Sequence, residues 1–273
     1  MPARFETLND TEWEQVAEIW DLLDRGEIEA SRRAIGALLA ARPGHADLRI
    51  VDAAVALEEG APHRALEALK GAERSADPAL FFHLRALGRY ELAEFERARA
   101  DANRALTVHP GLAEAHDLLS RIAEHLSQPE QAREHAEAAR AVDDASTPEP
   151  LEMTDGEFDA IVAAALAEMP EPVKRALAEV PVLVEPLPSR ALLGGDDAIS
   201  PDVLGLFVGL SLRERSVNDP PRAPGAIYIY RRNLLRVCAD AEELKREVRI
   251  TVQHEVGHLL GLNEGELENW GLG

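Results

Sequence analysis

From about Asp10 to Asp143 apolar residues recur three and four positions apart, with short Gly or Pro breaks between the runs. That period predicts amphipathic helices and needs no strand. The breaks group them as pairs, at about 11 to 25 with 27 to 41, 45 to 59 with 61 to 75, 78 to 92 with 94 to 108, and 112 to 126 with 128 to 142. After Thr154, a plausible N-cap, an amphipathic run reaches Met169, and a shorter one follows Pro170. The pattern then changes. Val180 to Glu185, Val203 to Gly209 and Ala226 to Tyr230 read as strands, and Asn218-Asp219-Pro220-Pro221 as a turn. Helical spacing resumes near Ala241 and runs through His254 and His258.

Small residues in the first half repeat at an interval of 34: Ala30, Ala34 and Ala37 align with Ala98, Ala102 and Ala105, then with Ala132, Ala136 and Ala139. The second unit keeps Ala68 and Gly71 but has Arg64 first, and Pro43, Pro78 and Pro110 lie near the ends of the first three units. Small side chains on one helix stripe let a neighbouring helix approach closely. A helix-turn-helix unit of this length, with Phe82 at one of its aromatic positions, resembles the tetratricopeptide repeat, whose stacked units form a solenoid that binds partners. The alternative is an ordinary Ala-rich bundle. Residues 144–153 lose the alanine spacing and carry two prolines, so they read as a linker. The expected organisation is α+β overall: an all-α helical-repeat domain at 1–143, the linker, and a small α+β domain at 154–273.

Composition narrows the partners. Fifty acidic against 29 basic residues give a formal charge of −21, which repels nucleic acid and anionic membranes. No apolar run approaches the roughly 20 residues of a membrane span, and no secretory signal precedes the acidic N-terminal stretch, so a cytoplasmic location is expected. Cys238 is the only cysteine. Any metal would be held by histidines and carboxylates.

The chemistry concentrates in His254-Glu255-Val256-Gly257-His258-Leu259-Leu260-Gly261-Leu262-Asn263-Glu264. Histidines four apart share one helix face and can grip one ion. A carboxylate beside the first of them, Glu255, is placed to act as general base on water activated there. Such a pattern alone arises by chance on many amphipathic helices. Gly261 adds a left-handed break that would let the chain fold Glu264 back as a third ligand. Two histidines and one carboxylate best fit a single zinc ion in an open, catalytic arrangement. Tyr228 and Tyr230 could stabilise an oxyanion and Arg231 and Arg232 could bind a substrate carboxylate, although packing and solvated surface are the commoner roles of such residues.

HExxHxxGxx followed by an acid resembles the metzincin-like branch of the zincins, and more narrowly a small bacterial minimal zincin family. Leu204 to Gly209 (Leu-Gly-Leu-Phe-Val-Gly) and Ile227 to Arg232 (Ile-Tyr-Ile-Tyr-Arg-Arg) are similar to two further segments of that family, and the likeness spans about residues 155 to 268. It implies zinc at His254, His258 and Glu264, with Glu255 as base. The last methionine is Met169, so no methionine turn follows the third ligand, and the substrate is expected to rest on the strands and loops before the metal helix. The expected function is a zinc peptidase or amide hydrolase acting on a peptide or protein, with a protein partner bound by the repeats. The alternative is an interaction scaffold whose zinc site is structural or nearly inactive.

Overall fold

A computed structural model describes residues 7–73, 75–143, 149–178, 180–193, 199–210, 225–263 and 265–266. The described residues divide into two compact units, the first reaching residue 143 and the second beginning at residue 149. The first unit is all helical: α1 (Asp10–Asp24), α2 (Ile28–Ala41), α3 (Ala46–Glu58), α4 (Pro62–Ala68), α5 (Pro78–Glu91), α6 (Phe95–Val108), α7 (Ala113–His125) and α8 (Pro129–Val142). Each helix packs on the next, and α1, α3, α5 and α7 also touch one another in succession. The unit is therefore built by stacking helix pairs.

The turn inside each pair repeats in atomic detail. Gly26, Gly60, Ala93 and Ser127 all take positive φ, at 71°, 64°, 54° and 56°. At each, two amide N–H groups donate back to carbonyls of the preceding helix, as in Gly26 to Leu23 and Glu27 to Leu22, or Ser127 to Glu124 and Gln128 to Ala123. This is the Schellman closure, in which a left-handed residue satisfies the last carbonyls of a helix. The four positions are separated by 34, 33 and 34 residues, as the differences 60−26, 93−60 and 127−93 show.

The buried stripe of the second helices follows the same spacing, running Ser31, Ile35 and Leu38, then Ala65, Leu69 and Ala72, then Ala98, Ala102 and Ala105, then Ala132 and Ala139. A uniform interval of 34 therefore misplaces the first two units by one residue. Ala37 is exposed, and the equivalents of Ala98, Ala102 and Ala105 in the first unit are Ser31, Ile35 and Leu38. Pro78 lies just past the end of the second repeat unit. It starts α5, capped by Asp77, whose side chain accepts from the Leu80 amide at 2.8 Å. The helix expected over 61 to 75 ends at Ala68, ahead of Gly71 at φ 84°. Between α5 and α6 the buried Asp101 accepts from Arg85 Nε and Nη2 at 2.8 and 2.6 Å and pairs with Arg89. Two cations thus compensate one buried carboxylate.

The second unit holds α9 (Asp155–Ala167), α10 (Glu171–Leu177), β1 (Val182–Glu185), α11 (Arg190–Leu193), β2 (Gly205–Val208), β3 (Ala226–Tyr230), α12 (Arg231–Val237) and α13 (Ala241–Leu260). Thr154 and Glu157 form a reciprocal capping box at the start of α9. The sheet order is β1-β3-β2, with β1 parallel and β2 antiparallel to the central β3. Strand alternation turns Ile227 and Ile229 inward, onto Phe158 and Val162 of α9 and Val248, Val252 and Val256 of α13. Leu151 and Met153 pack against this same core, and the Leu151 amide donates to the Leu235 carbonyl at 3.3 Å. The fold class is therefore a helical unit followed by a small α+β unit.

Candidate metal centre

The helix α13 starts at Asp240, whose carboxylate accepts from the Glu242 and Glu243 amides at 2.9 and 2.8 Å. Its apolar stripe of Leu244, Val248, Val252, Val256 and Leu259 is buried against the sheet. That anchoring fixes which way the remaining face points. His254 and His258 lie on it, half-buried, with their Nε2 atoms 2.9 Å apart and ring centroids 4.6 Å apart. The helix stops at Gly261, φ 86°, where the Leu262 amide donates to the Gly257 carbonyl at 3.0 Å. The chain turns back there, as glycine in the left-handed region allows.

Glu255 is buried, only 6% exposed, and accepts at Oε2 from the Phe207 amide of β2 at 2.6 Å. Gly205 makes this approach possible. A Cβ there would lie 2.6 Å from Thr251 Cγ2, 3.0 Å from Glu255 Cγ and 3.2 Å from Glu255 Oε1. The helix thus rides directly on β2 where that strand lacks a side chain. The loop before β2 is pinned in turn by the buried Asn233, whose Nδ2 donates to the Pro201 and Val203 carbonyls at 2.9 and 2.8 Å. Gly209, φ 146°, closes the far end, where a Cβ would meet Gly225 Cα at 2.6 Å. Sequence reading singled out none of Phe207 N–H, Thr251 or Asn233 as site-forming. A glycine inside a strand pattern is the available signal for a close approach, though it does not name what approaches.

Tyr228 and Tyr230 stack with centroids 6.3 Å apart on the sheet face opposite Ile227 and Ile229. Tyr230 is fully buried, and its hydroxyl has no partner among the described residues. Burial, with Tyr228 and Glu255 nearby, raises its pKa well above the usual phenol range, so it stays neutral. Arg231 forms an ion pair with Asp155 at 2.6 Å, and the Arg232 amide donates to the Pro186 carbonyl. Both arginines belong to α12, a helix that the strand-like run before them conceals. Cys238 is buried, and its thiol is pushed up to about 11 by burial, which leaves it a poor nucleophile.

The donor set fits a zinc ion. Two ligand nitrogens at about 2.0–2.1 Å from a tetrahedral ion lie roughly 3.3 Å from each other. The two Nε2 atoms, already 2.9 Å apart on one helix face, need to part only slightly. Among the described residues no group of three His, Cys, Asp or Glu side chains converges on one point, and Glu264 lies outside them. Glu266 is described. Its carboxylate accepts from the Asn263 amide at 2.9 Å, and its own amide donates to Asn263 Oδ1 at 3.0 Å.

Residues 177–272 match the family model of the zincin-like metallopeptidases. Over this stretch the second unit is similar to that family. That match takes in β1, β2, β3 and the whole of α13, so the packing around Gly205 belongs to the zincin-like part of the chain. No curated protein matches the chain. Within the matched residues the two glycines of Leu204 to Gly209 have a physical reason: Gly205 admits α13 and Gly209 admits Gly225.

Proposed function

We propose that the zincin-like unit is a zinc-dependent peptidase, with His254, His258 and Glu264 as the ligands and Glu255 as the general base. One observation carries this reading: the buried Glu255 carboxylate is held by a backbone amide, on the same helical turn as two imidazoles whose Nε2 atoms lie 2.9 Å apart. A structural site has no use for a carboxylate positioned in this way. Zinc would supply the Lewis acidity that polarises a scissile carbonyl and acidifies water. The Phe207 amide fixes the orientation of Glu255, so that the carboxylate can take a proton from water and pass it to the departing amine. The histidines, one turn apart, orient the site relative to β2. The substrate class is a peptide or protein segment, and the helical unit selects or recruits it. The charge of −21 disfavours nucleic acid in that role.

The test uses Glu255→Ala. It should retain near-stoichiometric zinc while hydrolysis of a peptide mixture falls by about 100-fold or more, the usual contribution of a general base. Zinc retained with unchanged turnover would overturn the proposal in favour of a scaffold with a structural metal. The ligand assignment is tested separately. Glu264→Ala should strip the zinc, whereas Glu266→Ala should not, because Glu266 already closes a local ring with Asn263.

A further inference from the structure

The stacked first helices of the pairs carry a groove lined by Trp20, Leu23, Ala54, Leu57, Leu84 and Leu87, with Asp24 and Glu58 at its edge. The 34- and 33-residue spacing shows that this is one surface written three times. Trp20, Ala54 and Leu87 are equivalent positions on α1, α3 and α5, as are Leu23 and Leu57. Two helical turns before Trp20, on the same face of α1, Trp13 is 46% exposed. The apolar lining ends at the fourth pair. There the equivalent of Leu87 is Arg121, which lies over the Tyr90 ring and pairs with Asp117 at 3.0 Å.

A row of acids runs beside the apolar floor. Asp24, Glu58 and Glu91 occupy equivalent positions, and each is the last residue of its helix. The C-terminus of a helix carries partial negative charge, so an acid there is the less stable choice and a Lys or Arg the better one. Neither α1 nor α3 has a basic residue in its last turn to offset this. Among the described residues, Asp24 and Glu58 form no ion pair. Folding of the unit does not account for the same unfavourable placement at successive repeats. A ligand of opposite charge does.

We infer that this groove binds a basic, apolar segment of a partner protein, in which leucine-like side chains enter between Trp20, Leu57 and Leu87 while neighbouring Lys or Arg side chains meet Asp24 and Glu58. Desolvated apolar anchors give such a contact its affinity, and the row of acids gives it register and sign. A second copy of this chain is the wrong occupant on charge grounds, since each copy carries −21.

Binding is measured on the full-length protein with an acetylated, amidated peptide of about twelve residues made of Lys-Leu-Ala repeats. It is compared with a Glu-Leu-Ala and a Lys-Ser-Ala counterpart, by calorimetry at physiological salt. The Lys-Leu-Ala peptide should bind at least about tenfold more tightly than either. Asp24→Lys/Glu58→Lys should abolish that preference and favour the Glu-Leu-Ala peptide. Since lysine suits a helix C-terminus, this variant is expected to melt no lower than the parent. Glu130→Lys/Glu137→Lys, on exposed positions of α8, makes the same change in net charge and should alter binding by less than about threefold. Equal losses in the two variants would reduce the effect to general electrostatics and overturn the assignment. So would equal affinity for the Lys-Ser-Ala peptide, absence of binding, or a dimer in light scattering that Asp24→Lys/Glu58→Lys dissolves.

Discussion

At Gly205 the absence of a side chain sets the position of a candidate catalytic group. Thr251 and Glu255 are successive contacts of one helix face, and both reach into the volume that a Cβ at 205 would fill. Thr251 is β-branched with a restricted χ1, so it cannot swing aside freely. Gly205→Ala should therefore push α13 off β2, lengthen the bond between the Phe207 amide and Glu255, and destabilise the unit by about 1–3 kcal/mol, the usual range for overpacking. Hydrolysis should fall further than zinc content, since the histidines sit on the same helix and move with it. Adding Thr251→Ala removes the nearest obstruction, and thermal melts of the two single variants and the double variant should show a favourable coupling. Additive losses would mean that the contact at 205 does not set the helix position.

Among the elements, the four turns within the helix pairs offer a direct comparison of side chains in one conformation. Gly26 and Gly60 take the left-handed region at no steric cost, whereas Ala93 and Ser127 hold it with a Cβ. Ala93→Gly and Ser127→Gly should each stabilise the helical unit by up to about 1 kcal/mol, and Gly60→Ala should cost a similar amount, read from urea midpoints at constant slope. The same turns show why the sequence located the helices better than their register. Amphipathic spacing marks where a helix lies. Alanine, however, is the best helix former on any face, so Ala30, Ala34 and Ala37 imitate the buried stripe one residue away from Ser31, Ile35 and Leu38. The missing residue between the second and third pairs shows in the positive-φ positions and in the buried stripe, and two of the turn residues are not glycine. In the second unit the three strands are legible from β-branched and aromatic runs. α12 is not, because Tyr230-Arg231-Arg232 continues an extended-looking segment. At the candidate site the four-residue spacing alone brings His254 and His258 together. The contact between Glu255 and Phe207 spans 48 residues and depends on tertiary packing, which no local pattern records.

At the scale of the molecule, the proposed division into a repeat domain at 1–143, a linker at 144–153 and a zincin-like domain at 154–273 can be tested through Leu151 and Met153. Both are packed against the core of Phe158, Leu235 and Val252, and the Leu151 amide bonds to the Leu235 carbonyl, so this end of the proposed linker is attached to the second unit. Two partly buried side chains of this size contribute about 2 kcal/mol together. A fragment beginning at Pro148 should fold on its own, bind one zinc and melt in a single transition. Adding zinc above its dissociation constant should raise that melting temperature, because the ion binds only the folded state. A fragment beginning at Thr154 keeps the α9 capping box but loses both apolar contacts, so it should bind zinc yet unfold at a lower urea concentration, by about those 2 kcal/mol. Equal stability of the two fragments would show that Leu151 and Met153 contribute nothing and that the domain starts at Thr154. If the longer fragment is unfolded with zinc present, the second unit depends on the helical repeats for its stability, and the two-domain division fails.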